Sequence, residues 1–178
     1  MTGSQLTSRL ALTQDLDLLQ ALMDAAITEL QTPYLNAAQI ELSRSIMGLD
    51  TQLVEDGTYF IVACAGATAG CGGWSRRATL YGGDLTTGRS PALLDPAKDA
   101  ARIRAMYTHP HHIRKGVGRL IIGLCEAAAK AEGFRRIELM ATMAGQPLYR
   151  ACGYEPVESV EDNRGGASVP LLRMQKRL

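Results

Sequence analysis

The sequence predicts an α/β (α+β) fold: a mixed, mostly antiparallel sheet of about seven strands flanked by four helices, with a central β-α-β unit. Three observations predict it. Seven runs of strand length alternate or are continuously apolar, and four segments carry apolar residues at helical spacing. The strand–helix–strand order in the second half favours a right-handed parallel crossover, while the flanking hairpins should pair antiparallel. The 178 residues are 46% hydrophobic and 21% charged, which suits one domain over 1–178 with a sizeable core.

The elements follow in order. Gln5–Ala11 reads as a short strand. Gln14–Leu30 carries Leu16, Leu19, Leu22, Met23, Ala26 and Leu30 on one stripe, with Thr13 as N-cap, Asp15 in the first turn and Pro33 as stop. Asn36 to about Met47 is a second helix with weaker periodicity. Tyr59–Ala65 is a buried-strand run, Gly66-Ala67-Thr68 a turn, and Ala69–Arg76 its partner strand, whose glycines permit close backbone approach. Arg77–Lys98 contains Gly82, Gly83, Gly88, Pro91 and Pro96 and reads as a long irregular connection, either a binding loop or an inert insertion. Ala101–Thr108 sets Ala101, Ile103, Ala105 and Tyr107 on one face and Arg102, Arg104, Met106 and Thr108 on the other. After the next helix come a strand at Arg136–Ala141, a short helix at Gly145–Cys152 with Pro147 in its first turn, and strands at Tyr154–Val160 and Val169–Lys176.

The chemistry concentrates in His109–Gly133. Leu120, Ile121, Leu124 and Ala128 give this helix one apolar face, and Gly133 sits where a left-handed C-terminal residue is wanted. Arg114, Lys115 and Arg119 crowd its N-terminus, where the macrodipole already disfavours cations. Cations placed there expect an anion. Gly116 and Gly118 leave backbone N–H groups open to a phosphate. The three glycines of a dinucleotide fingerprint and the Gly-Lys-Ser/Thr of a P-loop are both missing.

Composition excludes other classes. A formal charge of +1 offers no global field for nucleic acid or an anionic membrane. No run has membrane-spanning length, and no signal peptide is evident. Cys64, Cys71, Cys125 and Cys152 form no zinc-like spacing, so free thiols in a reducing cytoplasm are expected. The His109, His111, His112 cluster lacks an obvious further ligand and is not read as a metal site.

HPHHIRKGVGRLI resembles the acetyl-CoA pyrophosphate motif R/Q-x-x-G-x-G/A of the GCN5-related N-acetyltransferase superfamily. IELMATMAGQPLYRACGY resembles its later (L/F)-Y-x-x-x-G-(F/Y) element, and VPLLRMQKRL a common closing strand. The chain departs from the pattern at Ile113, where Arg or Gln is usual, and at Thr142-Met143-Ala144-Gly145, where many members carry Asn. No carboxylate base stands on Ala101–Thr108.

The resemblance implies transfer of an acetyl group from acetyl-CoA to a primary amine of a small molecule or peptide, by direct attack on the thioester. It implies Tyr149 as general acid. It also implies pairing of the Tyr107 and Thr108 backbone with pantetheine. Pyrophosphate would be held around Ile113, Arg114, Lys115, Gly116, Val117, Gly118 and Arg119. Tyr34, Trp74, Arg76 and Tyr81 would border the acceptor. The base stays open among His109, His111, His112, Glu138 and water. A homodimer is also implied. The alternatives are a non-catalytic acyl-CoA-binding or sensory domain of the same fold, and a nucleotide-binding protein.

Overall fold

The computed structural model describes residues 5–178. In chain order the elements are β1 (Leu6–Leu10), α1 (Leu16–Leu30), α2 (Ala37–Ile46), α3 (Thr51–Glu55), β2 (Tyr59–Cys64), β3 (Ala67–Ser75), β4 (Ala101–Thr108), α4 (Val117–Ala131), β5 (Arg136–Thr142), α5 (Gln146–Ala151), β6 (Glu155–Asp162) and β7 (Val169–Arg177). One seven-stranded sheet has the order β1-β2-β3-β4-β5-β7-β6. Its only parallel pair among the described strands is β4–β5, bridged by α4. The expected mixed, mostly antiparallel sheet is the one observed.

Local chemistry explains most boundaries. Asn36 caps α2 reciprocally: its Oδ1 accepts from Gln39 N–H (3.0 Å), and Gln39 Oε1 accepts from Asn36 N–H (2.9 Å). Gly133 adopts φ +92° and ends α4 with Phe134 N–H donating to Ala129 O and Gly133 N–H to Lys130 O. Two expectations shift. Thr13 opens a 3-10 turn instead of capping α1; the Asp15 carboxylate accepts from Leu12 N–H (2.8 Å). The β2–β3 turn falls at Ala65-Gly66, both at positive φ, so Ala67 and Thr68 already pair with β2. The short helix α3 was not expected, because five residues show no helical repeat.

The sheet is covered on both faces. On one, α4 packs across β3 and β4, with Val117, Ile121, Ile122 and Cys125 buried against Val62, Ala69 and Ile103. This approach is close: a Cβ at Gly70 would lie 2.5 Å from Val117 Cγ1, and one at Gly72 2.8 Å from Ile121 Cγ2. On the other face α1 and α3 bury Leu19, Leu22, Met23 and Leu53 over Tyr59, Ile61 and Cys71. Farther along, α2 sets Leu42 and Ile46 on Val169 and Leu171 of β7.

Two features of β4 place the site. Between the pairs Cys71–Tyr107 and Gly73–Arg104, β3 holds one residue and β4 two, so β4 is bulged. Ala105 at the bulge has φ +50°, and its carbonyl accepts from the Tyr59 hydroxyl (2.6 Å). Beside it, β4 and β5 pair only at Ala101–Ile137 and Arg102–Glu138 and then part. The remainder of β4 therefore has no strand partner on that side.

Candidate functional site

Where β4 and β5 part, a cleft of about 760 Å³ opens. Its walls come from β4 and β5, the start of α4, α5, the end of α1, and Leu80–Gly82 of the long connection. Of the positions singled out in the sequence, Tyr34, Tyr81, Tyr107, Thr108, Ile113, Arg114, Gly116, Val117, Gly118, Arg119 and Tyr149 all line it.

The chain enters α4 through alternating backbone hands. Arg114 has φ +62° and Gly116 φ +86°, a sequence that turns successive N–H groups toward a common concavity. Among the described residues, the N–H groups of Arg114 through Arg119 donate to no protein acceptor; the first intrahelical bond is Leu120 N–H to Gly116 O (3.0 Å). Arg114, Lys115, Gly116 and Arg119 are exposed. Six consecutive donors with basic side chains at their rim can take a diphosphate. The two motif glycines do different work. Gly116 supplies the left-handed conformation. Gly118 makes room for α5: a Cβ there would lie 2.5 Å from Leu148 Cδ2, so that space belongs to a leucine and not to the anion. Lys115 does not line the cleft, and its ammonium lies 3.5 Å from His112 Nδ1.

Across the opening, α5 presents Tyr149. Its ring packs edge-on to Tyr154, with centroids 6.0 Å apart, and Gly145 leaves space for it. Its hydroxyl makes no hydrogen bond among the described residues, and burial pushes the phenol well above its ordinary value, with Cys125 and Cys152 adding to the shift. Tyr107, on β4, lines the cleft, and its hydroxyl accepts from the N–H of Gly48, another lining residue (2.9 Å).

Trp74 and Arg76 do not border the cleft. β3 runs antiparallel to β4, so its end lies beside the start of β4, far from the cradle. Trp74 is buried against Phe134, and Arg76 lies over the indole and holds Glu132 at the end of α4 (2.6 Å). The connection then doubles back, which brings Tyr81 into the cleft with its hydroxyl on Asp162 (3.0 Å) and Arg164 over its ring. Residues 77–98 are tied down: Gly83 N–H donates to Ile46 O (3.3 Å), Asp84 N–H to Leu49 O (2.8 Å), and Arg89 pairs with Asp50 (2.7 Å).

The candidate bases separate clearly. Glu138 is buried between Arg102 and Arg173 at the closed end of the β4–β5 pair, outside the cleft. Its position follows from register, since it pairs with Arg102 just before the strands part. Of the three histidines only His112 lines the cleft; burial first, then Lys115 and its two neighbours, lower its proton affinity. His109 and His111 meet edge-on, with ring centroids 5.1 Å apart. Among the described residues no group of three or more His, Cys, Asp or Glu is placed to hold a metal ion, and no helix is long and apolar enough to cross a membrane.

Sequence reasoning missed Arg104, Asp50, Gln31 and Glu29. Arg104 is buried in the cleft wall, paired with Asp50 (2.7 Å) and with the Gly82 carbonyl. The signal for it was an arginine in mid-strand, which needs a partner if both sheet faces are covered.

The family model described as Acetyltransferase (GNAT) family matches residues 18–154. Comparison with curated proteins finds no match. Among solved structures, the chain is similar over its whole length to a GCN5-related N-acetyltransferase from Rhodopseudomonas palustris (20% identity, TM-score 0.73, 99% of that chain covered). It is similar over 98% of its length to PaiA N-acetyltransferase from Thermoplasma acidophilum, solved with coenzyme A (12% identity, TM-score 0.66, 99% of that chain covered). A third likeness, over 97%, is to yncA of Salmonella typhimurium with its cofactor acetyl-CoA (16% identity, TM-score 0.63, 94% of that chain covered).

Proposed function

Because the chain belongs to the GNAT acetyltransferase family, we infer that it transfers an acetyl group from acetyl-CoA to the primary amine of a small molecule or peptide. One observation carries the assignment: Arg114 and residues 116–119, with their unpaired amides, and Tyr149, with its unpaired hydroxyl, line the same cleft.

The residues present fit the cosubstrate. Six free N–H groups and the guanidiniums of Arg114 and Arg119 suit its diphosphate. The unpartnered side of β4 at Tyr107 and Thr108 offers backbone groups to an extended pantetheine arm, as a strand would be offered them. Acetyl-CoA, when bound, supplies a thioester carbonyl to be attacked and a sulfur to depart. Tyr149 keeps its proton at neutral pH and would give it to the departing sulfur, which takes the electron pair of the broken C–S bond; solvent would then return a proton to the phenolate. The new C–N bond uses the lone pair of the amine, whose surplus proton passes to solvent. The apolar walls of Ile103, Leu139 and Leu148 keep water from competing. A homodimer, implied by the family resemblance, and a cytoplasmic location, expected from the free thiols, belong to the same proposal; a monomeric mass by light scattering removes the first.

The test is thiol release from acetyl-CoA across a panel of amines, with calorimetry of coenzyme A, ATP and NAD. Amine-dependent release together with coenzyme A binding is expected. ATP or NAD binding without coenzyme A binding overturns the reading.

A further inference from the structure

On the face of the sheet opposite α4, the last turn of α1 is charged against its own dipole. A helix C-terminus favours cations, yet this 15-residue helix has no basic residue in its last turn and carries Glu29 there. Glu29 lines the cleft, and among the described residues it is the only carboxylate that does. Two residues on, Gln31 also lines the cleft while only 7% exposed. Its Oε1 is buried with no hydrogen-bond partner, and its amide nitrogen reaches only Met47 Sδ at 4.0 Å. A buried carbonyl of this kind is left short of a donor in the free protein and gains one when a donor arrives.

The rest of this wall says what the donor belongs to. Ile27, Leu30 and Met47 are apolar, and the ring of Tyr34, 47% exposed, is free to face a cation. Arg104, a cation on this wall, has its charge offset by Asp50 while its Nε lacks a hydrogen-bond partner, and Glu29 repels a carboxylate carried by the acceptor. We propose that Glu29 and Gln31 form an ammonium subsite, so that the acceptor is a primary amine with an apolar body and no carboxylate of its own. This rests on the acetyltransferase reading above. The amine enters as its cation, donates to Gln31 Oε1, and loses its proton to solvent at the mouth of the cleft before its nitrogen attacks.

The experiment compares 2-phenylethylamine with phenylalanine, which adds a carboxylate, as acceptors in the thiol-release assay. Calorimetry on the coenzyme A-loaded protein compares 2-phenylethylamine with its uncharged counterpart 2-phenylethanol. The wild type should favour 2-phenylethylamine over each by about tenfold or more. Gln31→Leu should raise the KM for the amine by about tenfold while leaving the KM for acetyl-CoA and the affinity for coenzyme A in place. Gln31→Glu, which keeps the acceptor oxygen, should not raise it. Glu29→Gln should raise it about two- to fivefold, by less at high salt. A preference for phenylalanine, equal binding of the alcohol, or an unchanged amine KM in Gln31→Leu overturns the subsite. Loss of coenzyme A binding in the wild type itself overturns the acetyltransferase reading instead, so the two failures are told apart. If Gln31→Leu does not fold, Gln31→Glu and Glu29→Gln still decide.

Discussion

Tyr149 is held by its neighbours and yet its hydroxyl is unclaimed, which is the arrangement a proton donor needs. Tyr149→Phe should cut amine-dependent thiol release by about a hundredfold or more and leave coenzyme A affinity as it was. Equal turnover by the two proteins removes the assigned role. A second residue-scale prediction concerns Asp15. Both its oxygens take bonds from Arg9 (2.7 Å each), and with the Leu12 N–H these hold its carboxyl down to about 2. The folded value lies below the ordinary 3.8, so this stabilisation is fully present above that value and is lost as pH falls through about 2. Asp15→Asn should lower Tm at pH 7, and the gap to wild type should close between about pH 4 and about pH 2. A gap that stays constant with pH would refute the linkage. At this scale the sequence marked a position at the cleft where a residue sits inside a spaced motif, as Tyr149 does in LYRACGY. It was silent on Gln31 and Arg104. Strand alternation says which face a side chain takes, and not whether another element covers that face.

Gly118 joins two elements at the scale above. With no Cβ it lets Leu148 seat against the first turn of α4, and α5 brings Tyr149 to the cleft on the next residue. Gly118→Ala should cost about 1–3 kcal/mol in denaturant melts and lower kcat more than it weakens coenzyme A binding. Adding Leu148→Ala should restore part of both. If the double variant is no better than the single, the space is not shared as described. The helix itself was readable from its repeat and its terminal glycine, and β4 was readable to the residue from its alternation. The β2–β3 turn slipped by one position because either Ala65-Gly66 or a longer turn satisfies the same composition, and only strand pairing decides between them. Helix α3 escaped because one and a half turns leave no period to detect.

At the scale of the molecule, function follows from two strands that start paired and then part, with helices on both faces to wall the gap. The Arg104–Asp50 pair anchors one wall by tying β4 to the segment before α3. Burial pushes the Asp50 carboxyl up despite Arg104 and Arg89, a sign of how fully the pair is desolvated. Arg104→Met should therefore destabilise by about 3–5 kcal/mol in equilibrium unfolding. With Asp50→Asn added, the loss should be less than the sum of the two single losses; strict additivity would mean the charges do not act as a pair. The class of sheet was foreseeable from seven strand-like runs and one crossover. The order of its last strands was not, since periodicity marks strands without naming their neighbours.

That order bears on how the protein is made. β7 lies between β5 and β6, so both present bare edges until residues 169–177 have left the ribosome. A growing chain with α4 already formed thus carries two sticky borders until β7 emerges, the interval in which a chaperone has most to do.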